Sequence, residues 1–332
     1  MEFAELAAIA GGHAEARAIQ TALKLGFFEL LSDGPRDAQA IAGALRTDPR
    51  ATMLLANAMV ALRLFESEQG TYRIAHSAAR FLVKSSPEYL GGLILFDEDI
   101  FQHWMRLEDS IRSGRPVRSP DMFQSDPADT ERFIRAMDSL TRARGDATWV
   151  AEHLDLDGVA TIADLGGGPG TYLAAILRRR TTMRGAVWDL PATLKVARGV
   201  LEERERDVMD RIELVEADYL RARLPGPVDA IFMSNIVHGE NEADNERLMS
   251  ACFAAMRSGG LVAIKDHVMN RDLTAPRAGA IFALYLLLTT RGRDYSFEEI
   301  AGWLTAAGFV DIKIQALPSP PFTSSLVTAR KP

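Results

Sequence analysis

One stretch limits the folding options of this chain more than any other: residues 158–191, GVATIADLGGGPGTYLAAILRRRTTMRGAVWDLP. Ala160 to Ala163 is short, apolar and partly β-branched, which predicts a buried strand. Asp164 and Leu165 close it, and Gly166, Gly167, Gly168, Pro169 and Gly170 follow as a tight turn. Helical spacing runs from Thr171 to Arg180, with Tyr172, Leu173, Ile176 and Leu177 on one side. A second strand from Gly185 to Trp188 ends at the acid Asp189. A strand, glycine turn, helix and strand with an acid about twenty residues past the glycines is the arrangement that seats an adenosine-bearing cofactor.

What the turn lacks narrows the cofactor. Thr171 stands where a dinucleotide fingerprint needs its third glycine after Gly166 and Gly168, and no lysine follows as a phosphate-binding P-loop requires. What remains is acid then glycines. Glycines without Cβ let a ligand lie against the backbone. An acid at the strand end suits a ligand with ammonium and hydroxyl donors better than one led by phosphates. S-adenosylmethionine (SAM) has those donors.

At 332 residues the chain has room for about two domains and a sizeable core. A net charge of −7 argues against a polyanionic partner, so no nucleic acid is expected. Cys252 is the only cysteine, which excludes an internal disulfide and a cysteine-rich metal site. Met1-Glu-Phe-Ala-Glu lacks the basic start of a signal peptide, and the longest apolar stretch, Ala278 to Leu288, is too short for a bilayer. A cytoplasmic protein with no membrane partner is the expectation.

Residues 1–95 read as a mainly helical domain: a long first helix, broken at Gly11-Gly12, helices at Asp37–Leu45 and Asp48–Leu64, and a hairpin over Phe65–Ala75. Asp48 is the expected N-cap and Pro49 the first helical residue. Helix, helix, hairpin is a winged-helix order. Only Arg50 and Arg63 punctuate the apolar second helix, too few cations to neutralise phosphates, so packing between subunits is the better use of that surface. Residues 96–155 read as connecting helices, Phe101–Ile111 and Glu131–Leu154, around a Pro- and Ser-rich loop.

From residue 156 to 332 strands and helices alternate, which predicts an α/β domain with a mostly parallel sheet. Strands are expected at Ile212–Val215, Val228–Met233 and Leu261–Ile264. A helix over Asn241–Arg257 should stop at Gly259-Gly260, and one over Phe297–Ala307 at Gly308. Val310–Ala316 and Ser324–Ala329 read as an antiparallel hairpin joined across Pro318, Pro320 and Pro321. Asp164, Asp189, Asp218, His238 and Asp266 each fall at or just past the carboxyl end of a strand, the edge where open α/β sheets bind ligands.

The series DLGGGPG, WDLP, EADY, DAIFMSNIVH and GGLVAIKDH resembles the class I SAM-dependent methyltransferases. More narrowly, it is similar to the small-molecule O-methyltransferases of the plant caffeic acid and animal hydroxyindole type, in their bacterial branch. The resemblance implies a Rossmann-like SAM domain with a C-terminal antiparallel hairpin, and an N-terminal winged-helix domain that makes a homodimer. It implies that Asp164, Gly166 and Gly168 cradle the methionine part of SAM. Asp189, with Leu190 beside it, would accept from the ribose hydroxyls, and Asp218 with Tyr219 would hold the adenine. Ser234 would touch the cofactor where many relatives carry a lysine.

His238 aligns with the family's general base, and Asp266 and Asp294 with the two acids that orient it, each one methylene shorter than the plant family's Glu. The acceptor pocket would comprise Phe133, Met137, Asn235, Phe282, Tyr285 and Thr289, apolar walls suited to a flat aromatic substrate. S-adenosylhomocysteine would be the product, and no metal is called for. Gly239 and Glu240 follow the histidine where plant relatives have Asp and Trp, which keeps open C- or N-methylation of a pigment-like or alkaloid acceptor. His238 could also merely cap the next helix. A SAM-binding regulator and an NAD-linked dehydrogenase are weaker readings.

Overall fold

Aspartates start two of the helices of the N-terminal unit. The computed structural model describes residues 1–221, 223–318 and 324–332, in two units, Met1–Phe101 and Gln102–Pro332. The first contains α1 (Phe3–Leu25), α2 (Phe27–Ser32), β1 (Arg36–Asp37), α3 (Ala38–Leu45), α4 (Pro49–Ala61), β2 (Phe65–Glu68), β3 (Thr71–Ile74), α5 (His76–Leu82) and most of α6 (Gly91–Trp104). Asp37 and Asp48 accept from the Ala40 and Ala51 N–H groups, caps worth about 1 kcal/mol each. Helix α1 is continuous through Gly11 and Gly12, contrary to the expected break. Each glycine costs about 1 kcal/mol there, and the buried Ala22 and Leu23 at the far end anchor the helix regardless. Gln69 and Gly70, both at positive φ, form the hairpin turn, and β1 completes a three-stranded sheet in the order β1-β3-β2. Phe27, Phe28, Ile41, Met59 and Phe65 fill its core.

The second unit continues with α7 (Leu107–Ser113), α8 (Pro127–Arg144) and α9 (Asp146–His153). Both connecting helices differ from the expectation. The first is interrupted by a turn in which Arg106 N–H donates to His103 O and Asp109 N–H to Arg106 O. The second breaks at Gly145, where φ is +71, a conformation glycine adopts without a Cβ penalty.

The sheet domain follows: β4 (Thr161–Leu165), α10 (Thr171–Arg179), β5 (Arg184–Asp189), α11 (Pro191–Arg204), β6 (Ile212–Glu216), β7 (Val228–Ser234), α12 (Glu242–Ala255), β8 (Met256–Met269), α13 (Arg277–Thr289), β9 (Tyr295–Ser296), α14 (Phe297–Ala307), β10 (Val310–Ala316) and β11 (Ser324–Arg330). Its strand order is β10-β11-β8-β7-β4-β5-β6, with β9 against β8. Strands β4 to β9 pair in parallel, and β11 runs antiparallel to both β8 and β10. Apolar layers cover both faces, Leu173, Leu177 and Val187 on one and Leu248, Ile264 and Trp303 on the other. The α/β class with a mixed sheet and a helical N-terminal domain therefore stands.

Two boundaries move. Helix α12 ends at Ala255 without a glycine cap, because the chain passes directly into β8 at Met256. Strand β8 also runs on through Lys265, Asp266 and His267, since Leu326, Ser325 and Ser324 of β11 pair with those three residues. They lie inside a strand and not beyond its end. The expected turn residues Pro320 and Pro321 lie outside the described residues.

Candidate active site

Strand β4 pairs with β5 on one side and β7 on the other, so the chain reverses its direction of travel across the sheet at β4. That switch point opens a crevice at the carboxyl ends of the strands, and a cavity of about 450 Å3 lies there. Its wall includes Asp164, Gly166, Gly168, Asp189, Leu190, Asp218, Tyr219 and Ser234. Sequence reading named all eight.

The glycine turn is built against Asp164. Gly166, Gly168 and Gly170 have φ of +64, +52 and +79. Gly167 is excluded from carrying a side chain for another reason: a Cβ there would stand 2.7 Å from Asp164 Cγ. Asp164 is buried, and neither carboxylate oxygen has a hydrogen-bond partner. Burial, reinforced by the nearby Asp189 carboxylate, pushes its pKa up to about 7. Only the Leu173 N–H pulls against that rise; a buried acid so short of donors is costly, and a ligand bearing an ammonium group would meet that need. Asp189 accepts from Gly168 N–H at 2.8 Å and from Leu190 N–H at 2.7 Å. Burial raises its pKa to about 6 against the pull of those donors. Each of its oxygens has a further lone pair for a pair of hydroxyl donors. Asp218 accepts from Leu220 N–H at 3.0 Å, and the Tyr219 hydroxyl donates to Glu240 at 3.0 Å. This donor and acceptor set fits an amino acid, a ribose and a base, the three parts of SAM.

His238 sits on the single helical turn Val237–Gly239 after β7. Its Nδ1 is 2.6 Å from Asp266 Oδ1, and its backbone N–H donates to Asp266 Oδ2 at 3.3 Å. Burial disfavours the imidazolium, but the paired Asp266 carboxylate outweighs it and lifts the pKa above the usual histidine value. Asp266 is held below the ordinary carboxylate range despite its burial, because His238 faces it. Asp294 Oδ1 is 4.0 Å from Nδ1. Its oxygens have no hydrogen-bond partner, and burial raises its pKa to about 7. Helix α12 is capped by Asn241, which accepts from Asp244 N–H, so His238 is not its cap. The ligand-type atoms of His238, Asp266 and Asp294 all lie within 4.8 Å of one another, the one such cluster among the described residues.

Phe133, Met137 and Asn235 line the cavity. The residues expected from α13 are placed differently. The Phe282 ring meets His238 edge-on at 5.3 Å, and Tyr285 stacks on Phe282 at 5.2 Å, so both belong to the surroundings of the imidazole. Thr289 is buried with its hydroxyl donating to Tyr285 O, and the next residue, Thr290, reaches the cavity wall. His238, Asp266 and Asp294 are not in that wall, whereas Gly239 and Glu240 are; the His238 side chain keeps 12% exposure. Three side chains near the site had no role in the sequence reading: Glu240 on Tyr219, the buried Lys265, and His267. The His267 ring lies 4.8 Å from Phe282, and burial holds it neutral with a pKa of about 3.

Comparison with known proteins decides the family. A profile of the O-methyltransferase domain matches residues 104–310, and one of the O-methyltransferase dimerisation domain matches residues 7–84. The chain belongs to the O-methyltransferase family. Among its relatives, the 3-hydroxy-5-methyl-1-naphthoate 3-O-methyltransferase of Streptomyces sahachiroi is 30% identical over 94% of this chain and 91% of its own. The N,N-dimethyltransferase OxyT of Streptomyces rimosus is 28% identical over 89% of this chain and 87% of its own. Human N-acetylserotonin methyltransferase, solved in complex with SAM, shares the fold with a TM-score of 0.89 at 22% identity, covering 100% of this chain and 98% of that one. No helix is long and apolar enough to cross a membrane among the described residues.

Proposed function

We propose that this enzyme moves a methyl group from SAM to a hydroxyl of a small aromatic or polyketide-like molecule, leaving S-adenosylhomocysteine. SAM supplies the electrophilic methyl on a positively charged sulfur. Asp164 and the Gly166–Gly168 backbone hold its amino-acid end, Asp189 and Leu190 its ribose, Asp218 and Tyr219 its adenine, and Ser234 closes the wall between them. Phe133 and Met137 offer apolar surface to a flat acceptor, with Phe282 and Tyr285 around the reacting hydroxyl.

His238 is the general base. A phenol ionises near pH ~10 and is a poor nucleophile at neutral pH. With Nδ1 donating to Asp266, the imidazole is fixed in the tautomer whose Nε2 accepts a proton. Asp266 then stabilises the imidazolium as it forms, and buried Asp294, 4.0 Å from Nδ1, sets a second acid on the same side of the ring. Such base catalysis is worth ~10²–10⁴-fold, and alignment of the reactants adds more. The observation that carries this reading is the 2.6 Å contact between His238 and Asp266. The matched dimerisation domain and the exposed stripe of Phe3, Leu6 and Ile9 support a homodimer joined through the N-terminal unit.

Incubation with SAM and a panel of naphthols and other phenols tests the reading. A gain of one methyl on oxygen with an equal yield of S-adenosylhomocysteine is expected. No methylated phenol would refute it. The N-methylating relative motivates a second reading, and methylated amines without methylated phenols would favour that one.

A further inference from the structure

Behind the cavity wall, a lysine is buried where the chemistry above has no use for one. Lys265 in the middle of β8 is 1% exposed. Its ammonium lies 3.4 Å from Asp146 and donates to Asn235 Oδ1 at 3.2 Å. Asp146 is itself paired with Arg144 at 2.9 Å, and Arg144 donates to Ser324 on β11. Burying an ammonium costs several kcal/mol even when it is paired, and here the neighbouring strand residues Ala263 and Ile264 are apolar. Burial lowers its pKa to about 8, against the pull of Asp146.

The consequence falls on Asn235. This residue lines the cavity and has φ of +58, a left-handed conformation that asparagine tolerates better than most residues. Its backbone N–H donates to Lys265 O at 2.8 Å, so one lysine holds both its main chain and its side chain. An ammonium group can only donate. The amide atom facing it must therefore be the oxygen, which leaves the amide NH2 as the free end of a cavity-lining side chain.

We propose that Lys265 is a positioning residue that turns the Asn235 NH2 group toward the acceptor, where it donates to a second oxygen, a carbonyl or carboxylate, distinct from the hydroxyl that is methylated. The inference rests on the methyl transfer proposed above and adds the acceptor class: phenols that carry such an oxygen, selected over plain phenols.

The test compares isomeric hydroxynaphthoates with 1- and 2-naphthol. Asn235→Asp is near-isosteric, can keep one oxygen on Lys265, tolerates the left-handed backbone and cannot donate when ionised. Asn235→Gly keeps the backbone and removes the amide. Wild-type enzyme should favour the best hydroxynaphthoate over its parent naphthol by roughly 10-fold in KM, the worth of one well-placed hydrogen bond. Both variants should shrink that gap, raising KM for the hydroxynaphthoate several-fold more than for the parent naphthol. Lys265→Met should shrink the same gap, provided that its melting curve shows a folded protein. If it is unfolded, the Asn235 variants decide. A gap undiminished in Asn235→Asp, or an equal loss on both acceptors, would overturn the proposal. Methylation of both acceptor types with no wild-type preference would sink it while leaving the methyl transfer intact. Methylation of neither would remove the reading beneath it.

Discussion

The two halves of the site are built in opposite ways. The cofactor edge is local: Asp164, the glycine turn and Asp189 come from consecutive elements, and Asp189 reaches back only to Gly168 N–H. The acceptor edge is assembled from distant segments, with His238 after β7, Asp266 in β8, Phe282 on α13 and Asp294 just before β9. A local device tolerates change elsewhere in the chain. An assembled one depends on strand register, and it is where relatives with one fold can differ in chemistry. Substitutions should accordingly separate binding from turnover.

The largest separation is expected at the imidazole. His238→Ala should lower kcat by ~10²–10⁴-fold, with the SAM Kd unchanged by calorimetry; a matching loss of SAM affinity would merge the two regions. Asp164→Asn should do the reverse, weakening SAM about 10- to 100-fold through loss of a charge-assisted contact, while kcat at saturating SAM stays within about twofold. Gly167→Ala should act on the same edge more weakly. Its Cβ must displace the Asp164 carboxylate, at about 1–3 kcal/mol of overpacking, visible as a lower melting temperature together with a higher SAM Kd.

Acidity offers a finer probe. Asp164 titrates near pH 7, raised by its burial and by Asp189. Its ionised form is the one that attracts an ammonium, so SAM affinity should fall as pH drops from 8 to 6. That slope should become shallower in Asp164→Asn, leaving the part due to Asp189, whose own pKa burial raises to about 6, as isothermal titration across pH would show. The smallest expected effect is none: EDTA should leave turnover unchanged although His238, Asp266 and Asp294 are close enough to share an ion. Loss on chelation with recovery on added metal would assign that cluster another role.

Legibility in the sequence follows the same division. The turn residues of DLGGGPG and the acid after the next strand announce themselves because turn chemistry and strand ends are local signals. Gly145 was harder to see, since apolar spacing continues on both sides of it and hides a left-handed break. Lys265 was missed for a long-range reason. Strand β8 looks finished at Ile264 until β11, about sixty residues later, pairs with Lys265 to His267 and buries the lysine. Thr289 and Thr290 show where helical spacing stops being a guide: α13 ends at Thr289, whose hydroxyl turns back to Tyr285 O, and Thr290, already in extended backbone, takes the wall position.

The most direct test of the account is the pH dependence of kcat/KM for wild-type enzyme and Asp266→Asn. A base must be neutral to act, and Asp266 lifts the His238 pKa. Wild-type activity should therefore rise with pH through a group titrating above the ordinary imidazole value of about 6.5. Removing the carboxylate leaves burial to dominate, so the limb should move to lower pH while the plateau drops. A flat wild-type profile, or a limb that stays in place in Asp266→Asn, would contradict the pairing on which the proposed chemistry depends.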